Sequence, residues 1–137
     1  MALSFGKEHD VNIEIAKRLE ETLSKNNDLP VFAQWEIFDL IKGKYKNLKR
    51  MGDKRYRYLT TAQIIDKFHD KFVETYQAPP TKIALFAQSW HAPRCMVACK
   101  NKGIEVVLGE FIDKFSPNDS QPWVRDVLSW VIKEAQK

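Results

Sequence analysis

Thr81-Lys-Ile-Ala-Leu-Phe-Ala-Gln-Ser-Trp-His-Ala-Pro-Arg-Cys-Met-Val-Ala-Cys-Lys-Asn-Lys-Gly-Ile-Glu-Val-Val-Leu-Gly-Glu110 reads as one complete βαβ unit. The apolar run Ile83 to Ala87 has the length of a buried strand and is too short for a core helix. Gln88-Ser89-Trp90-His91 ends it, and Pro93 suits the first turn of a helix, where a missing N–H costs nothing. Met96, Val97 and Cys99 supply that helix with an apolar face, and Gly103 stops it. Ile104 to Leu108 is then a second β-branched run, reached by a connection that forces the two strands parallel.

The rest of the chain repeats this alternation. Ala2 to Phe5 reads as a strand closed by Gly6, and Ile15, Leu19 and Leu23 fall on one face of a following helix. Pro30 to Trp35 reads as a strand, with Ile37, Leu40 and Ile41 in a short helix after it. Thr60-Thr61-Ala62-Gln63 forms a capping box ahead of Ile64, Ile65, Phe68 and Phe72. Asp119-Ser120-Gln121-Pro122 opens a terminal helix with Trp123, Val127, Leu128, Val131 and Ala135 as its stripe and Lys133 and Lys137 at its end. Phe111, Ile112 and Phe115 either extend the sheet or wrap it. These patterns predict one α/β domain over 1–137. Its architecture is a three-layer sandwich around a mainly parallel, doubly wound sheet, Rossmann-like or flavodoxin-like, with helices near 12–25, 60–75, 92–102 and 122–136.

In such sheets ligands gather at the carboxyl ends of the strands, where helix N-termini offer N–H groups to anions. Chain direction brings Gly6-Lys7-Glu8-His9, Gln34-Trp35-Glu36, Gln88 to His91, and Gly109-Glu110 to that edge. The candidate catalytic residues are His91, as proton donor or acceptor, and Glu36, as its orienter or a second acid/base. The candidate ligand-binding residues are Gly6, Ser89, Trp90 and Arg94, with Arg94 gripping a phosphate or carboxylate beside the free N–H groups of the helix. Taken singly, each has a plainer explanation: Ser89 as a cap, Glu36 as a cap, Arg94 as the partner of a surface acid. His91, Cys95 and Cys99 share a helical stripe, but structural zinc takes four ligands and no second pair is apparent, so no metal site is expected.

The Ser89-Trp90-His91-Ala92-Pro93-Arg94 motif, followed by Gly103-Ile104-Glu105-Val106-Val107, resembles the SanA, ElyC and YdcF family of bacterial proteins. There a strand ends in Ser-aromatic-His-x-x-Arg before a helix, a glycine and another strand. The resemblance lies mainly in residues 81–110, and a single Gly6 stands where the family carries a double glycine, so the chain looks like a short, divergent relative. YdcF-like proteins are associated with S-adenosylmethionine, and the resemblance implies that ligand as a possibility.

A different kind of partner is suggested by residues 42–57. Lys42, Lys44, Lys46, Lys49, Arg50, Lys54, Arg55 and Arg57 face only Asp53 as an acid, with Tyr45, Tyr56 and Tyr58 interleaved. This carries more than the net charge of +4. It reads as a solvated basic loop, as a mobile flap that attracts phosphate, or as a nucleic-acid patch. The primary reading is therefore a small-molecule protein whose ligand is anionic or nucleotide-like, and the alternative is a nucleic-acid-binding module using 42–57. The chain shows neither a membrane-length apolar run nor the basic and apolar regions of a signal peptide, which predicts a soluble cytoplasmic protein. Phosphate-cradling glycine signatures are absent.

Overall fold

The computed structural model describes residues 1–7, 9–53 and 59–136, the His9 side chain excepted. Glu8, the His9 side chain, Lys54 to Tyr58 and Lys137, which figured in the readings above, lie outside the described residues.

The chain is mixed α/β. In order it forms α1 (His9–Lys25), β1 (Val31–Gln34), α2 (Trp35–Ile41), β2 (Leu48–Met51), α3 (Thr61–Tyr76), β3 (Lys82–Gln88), α4 (Ala92–Asn101) and β4 (Glu105–Ile112). A 3₁₀ turn (Pro122–Val124) and α5 (Val127–Ala135) complete it. The βαβ unit forms, with β3 and β4 parallel, and β1 and β2 make a second parallel pair; the buried face of α4 is Ala92, Cys95 and Cys99, while Met96 and Val97, read as part of that face, are exposed. The N-terminal segment joins the two pairs. Ala2 donates its N–H to the Phe32 carbonyl (2.9 Å) and its own carbonyl accepts from Gln34 (3.0 Å), while Leu3 donates to Phe86 (3.0 Å) and Phe86 to Met1 (2.9 Å). Both bridges of Ala2, to Ala33 and to Phe86, run parallel.

Side chains alternate across these strands. Ala2, Phe5, Val31, Ala33 and Phe86 enter a core roofed by Val11, Ile15 and Leu19 of α1 and Ile37 and Ile41 of α2. Leu3, Phe32, Ile83, Leu85 and Ala87 enter another, with Ile64, Ile65 and Phe68 of α3 and Ala92, Cys95 and Cys99 of α4. The capping box of α3 forms: the Thr60 hydroxyl accepts from the Gln63 N–H (3.2 Å) and the Gln63 side chain accepts from the Thr60 N–H (2.8 Å). Burial in the second core pushes both thiols up, Cys99 to about 11, so they are inert core residues. Among the described residues no His, Cys, Asp or Glu cluster is placed to hold a metal. Nor is any helix there long and apolar enough to cross a membrane.

Three expectations need correction. The second strand of the βαβ unit does not stop at Leu108, because Phe111 and Ile112 carry the ladder on to pair with Ala87 and Gln88. Gly109 and Glu110 therefore lie within β4, and Glu110 meets Arg18 of α1 instead of the carboxyl edge. The basic segment is not one loose flap, since Leu48 and Met51 are buried and Leu48–Met51 pairs with all four residues of β1. Two apolar side chains three apart were enough to anchor a strand between lysines. The terminal helix does not start at Pro122: a 3₁₀ turn comes first, Asp126 caps α5 through the Ser129 N–H (2.8 Å), and its buried residue is Trp130. Val127, Leu128 and Val131 stay exposed, because Trp130 alone reaches Phe5 and Val124 in the core.

What pins the C-terminal segment is a buried carboxylate. Asp119 accepts from the backbone N–H of Lys7 (2.8 Å) and of Gln121 (2.8 Å), and Arg125 Nε donates to its carbonyl (2.7 Å). This closeness needs a glycine at position 6, which has φ +77° and where a Cβ would sit 2.2 Å from Asp119 Oδ2. Gly6→Ala should therefore destabilise the fold by about 2–4 kcal/mol, the left-handed strain plus a displaced carboxylate. Gly43→Ala, at φ +83° with open space around it, should show the strain alone, about 1 kcal/mol. Urea denaturation of both variants checks this, and equal losses would mean that Asp119 does not hold the Gly6 turn.

Candidate functional site

At the carboxyl ends of the strands lies a cavity of about 270 Å³. Its walls come from the Leu3–Lys7 turn, Gln34 to Glu36 at the β1–α2 junction, and Gly52 and Asp53 after β2. Thr61 and Ile64 of α3, His91 and Arg94 of α4, and Gln121, Trp123, Val124 and Trp130 of the C-terminal segment close it. Four of the six candidate residues meet here: Gly6, Glu36, His91 and Arg94. Ser89 and Trp90 are not in the wall; Ser89 donates its N–H to Ile112 (2.9 Å), and the Trp90 ring is largely exposed near Phe115.

Glu36 is strongly perturbed. Burial pushes its carboxyl up to about 7, against the opposing pull of a Ser4 side-chain hydrogen bond and the Lys7 ammonium. Its Oε2 is enclosed and no hydrogen bond reaches it. His91 sits with Nε2 3.2 Å from the Thr61 hydroxyl, and its ring packs 6.1 Å from Phe5 and 5.8 Å from Trp130, centroid to centroid. Arg94 pairs with Glu134 of α5 and stacks its guanidinium 4.9 Å from the centre of Trp130. That is the plainer of the two roles foreseen for it, partner to an acid, though it still lines the cavity. Lys7 is exposed at the rim and has no ion pair among the described residues.

The backbone donors of this edge are mostly spent on side chains. Gln88 is fully buried, and its Oε1 accepts from the N–H groups of Trp90 (2.7 Å) and His91 (3.0 Å), while its Nε2 donates to the Lys114 carbonyl (3.1 Å). Pro93 has no N–H to offer. In the Ser4–Lys7 turn, Ser4 donates to Gln34 Oε1 (3.0 Å), Phe5 to Asn12 Oδ1 (2.9 Å) and Lys7 to Asp119. The anion cradle expected at the start of α4 is thus largely filled by Gln88, and charge recognition falls to side chains. Sequence reasoning placed Gln88 at this edge but missed what it does there, and it missed Asp119, which holds the Gly6 turn, and the indoles of Trp123 and Trp130 in the cavity wall. A glutamine closing an apolar strand was the signal for the first; Asp119 reads equally well as a helix cap.

The basic segment stands apart from this cavity except at Gly52 and Asp53. Three of its five described cations are met by acids, Lys44 by Glu20, Lys46 by Asp28 and Arg50 by Asp53; Lys42 and Lys49 are the other two. Lys54, Arg55 and Arg57 lie outside the described residues.

The shift of Glu36 has a measurable consequence. A carboxyl whose folded pKa is raised stabilises the fold below its ordinary value of about 4.5 and loses that contribution as pH rises through about 7. Glu36→Gln cannot ionise, so its stability relative to the native protein should rise between pH 5 and pH 8, by on the order of 2 kcal/mol. Urea unfolding across that range measures it, and a difference independent of pH would show that the carboxyl is well solvated. Compared with protein-family models, curated proteins and solved structures, the chain matches none, so the reading of this cavity stands on its own geometry.

Proposed function

We propose that this protein binds a small molecule, anionic or nucleotide-like, in the cavity at the carboxyl edge of its strands. The observation that carries this reading is the convergence there of Glu36, His91, Lys7 and Arg94 with three indoles, from four separate parts of the chain. Catalytic sites are where burial holds an acid near neutrality, and Glu36 and His91 are the two groups able to move a proton. Lys7 meets the anionic part at the rim, and Arg94 adds a guanidinium whose charge is shared with Glu134.

The order β2, β1, N-terminal segment, β3, β4, with cores on alternate faces, supports a doubly wound sheet in a three-layer sandwich, Rossmann-like or flavodoxin-like. Kinship with the YdcF-like proteins belongs to the same proposal. It makes S-adenosylmethionine one ligand to try and implies a soluble, cytoplasmic setting.

The test is a thermal-shift screen of nucleotides, sugar phosphates and S-adenosylmethionine on the native chain, Lys7→Ala and Arg94→Ala. Ligands that stabilise the native protein should lose about 1 kcal/mol of binding free energy with Lys7→Ala, the scale of a partly solvated charge pair. Arg94→Ala should weaken them further and also lower the melting temperature of the free protein, because Glu134 is left half-buried without its cation. Ligands acting equally on all three proteins would place binding elsewhere.

A further inference from the structure

We infer that the cavity takes a flat heteroaromatic base presenting a hydrogen-bond acceptor beside an N–H donor on one edge, and that the Glu36 carboxyl reads that edge. The inference rests on the ligand-site reading above and adds to it the chemistry of the group bound.

The enclosed Glu36 Oε2 comes first. A buried polar oxygen without a partner is rare and costs about 1–3 kcal/mol, so it marks a place where a partner is to arrive. The last torsion of a glutamate side chain is soft, so the carboxyl can turn toward an arriving partner. Around it the walls suit a flat, apolar-faced guest: Trp35, next in sequence to Glu36, with Phe5, Trp123, Trp130, Leu59 and Ile64. A volume of about 270 Å³ lies just under the usual range for drug-sized ligands, room for a base and a sugar.

The protonation state then selects the edge. Five charged groups bear on Glu36 or share its cavity. Lys7 favours the ionised form and Asp39 opposes it, while Asp53 is held by Arg50 and Arg94 by Glu134. His91 is held at Thr61. Burial outweighs them, and the carboxyl stays neutral up to about pH 7. A neutral carboxyl offers one O–H donor and one C=O acceptor side by side, the complement of any base edge that sets an acceptor next to an N–H donor, as all four common bases do. An ionised carboxylate only accepts, and would suit instead the two adjacent N–H donors of guanine.

Adenosine, cytidine, guanosine and uridine, none carrying a phosphate, are the probes, titrated calorimetrically from pH 6 to pH 9 against the native chain, Glu36→Gln and Glu36→Ala. The nucleoside that binds best at pH 6 should bind the native protein with constant affinity below about pH 7 and about tenfold more weakly for each unit above it, as the competent protonated form is depleted. A glutamine side chain carries the same donor and acceptor pair at every pH, so Glu36→Gln should bind equally well at pH 6 and keep that affinity at pH 9. Glu36→Ala should lose at least tenfold at pH 6. The inference is overturned if that nucleoside gains affinity above pH 7, if Glu36→Gln keeps the native pH profile, or if no nucleoside binds. In that last case, sugar phosphates that still bind through Lys7 would leave the ligand-site reading standing without it.

Discussion

Everything at the carboxyl edge depends on the ladder made by Met1 to Leu3. Ala2 is wholly buried and spends both backbone groups on β1, while its neighbours bond to β3 on the other side. Two parallel pairs of strands, each too small to hold a core, thereby share one hydrogen-bonded surface with a hydrophobic cluster on either face. Because the segment runs parallel to both neighbours, its exit at Ser4 to Lys7 falls between the exits of β1 and β3. That is the floor of the cavity.

The edge is unusual in how its backbone is satisfied. Gln34, Asn12, Gln88 and Asp119 each bring a side-chain oxygen to main-chain N–H groups that would otherwise face the cavity. A parallel sheet whose loops keep those donors free is built to cradle phosphate. Here neutral amides and a carboxylate fill the same positions, and a carboxylate at Lys7 N is itself a stand-in for an anion. What lines the cavity past these caps is the Glu36 carboxyl, the His91 imidazole, the Lys7 ammonium and the indoles, and these are the groups that would meet the proposed ligand.

Much of this was legible in the sequence, and the limits have physical causes. The βαβ unit declared itself because two short β-branched runs flanked a proline-started, glycine-stopped helix, and that pattern has few other solutions. Glu36, His91 and Gly6 could be placed at one edge from chain direction alone. The strand Leu48–Met51 was hidden because only its end residues are apolar, so periodicity over four positions says almost nothing. The buried face of α5 was misread for another reason. Its apolar positions outnumber what the core can receive, and only the long reach of Trp130 decides which side turns inward. Asp119 was illegible, since its role depends on Lys7, distant in sequence, and on a glycine without a Cβ.

Glu36 is where these constraints pull against one another. The start of α2 places its carboxyl behind Trp35, near Ser4 and Lys7, in surroundings that make ionisation costly. A glutamine would satisfy Ser4 equally well and would not resist neutral pH, so packing alone gives no reason for an acid. An acid poised near 7 differs from glutamine in one respect only, that it can give up and regain a proton under the conditions of the cell. The His91 ring sits across the same cavity with one nitrogen held by Thr61. Glu36, held near neutrality by burial, and His91, oriented through Thr61, thus face one cavity, and proton exchange with the proposed guest would account for an acid at this position where packing does not.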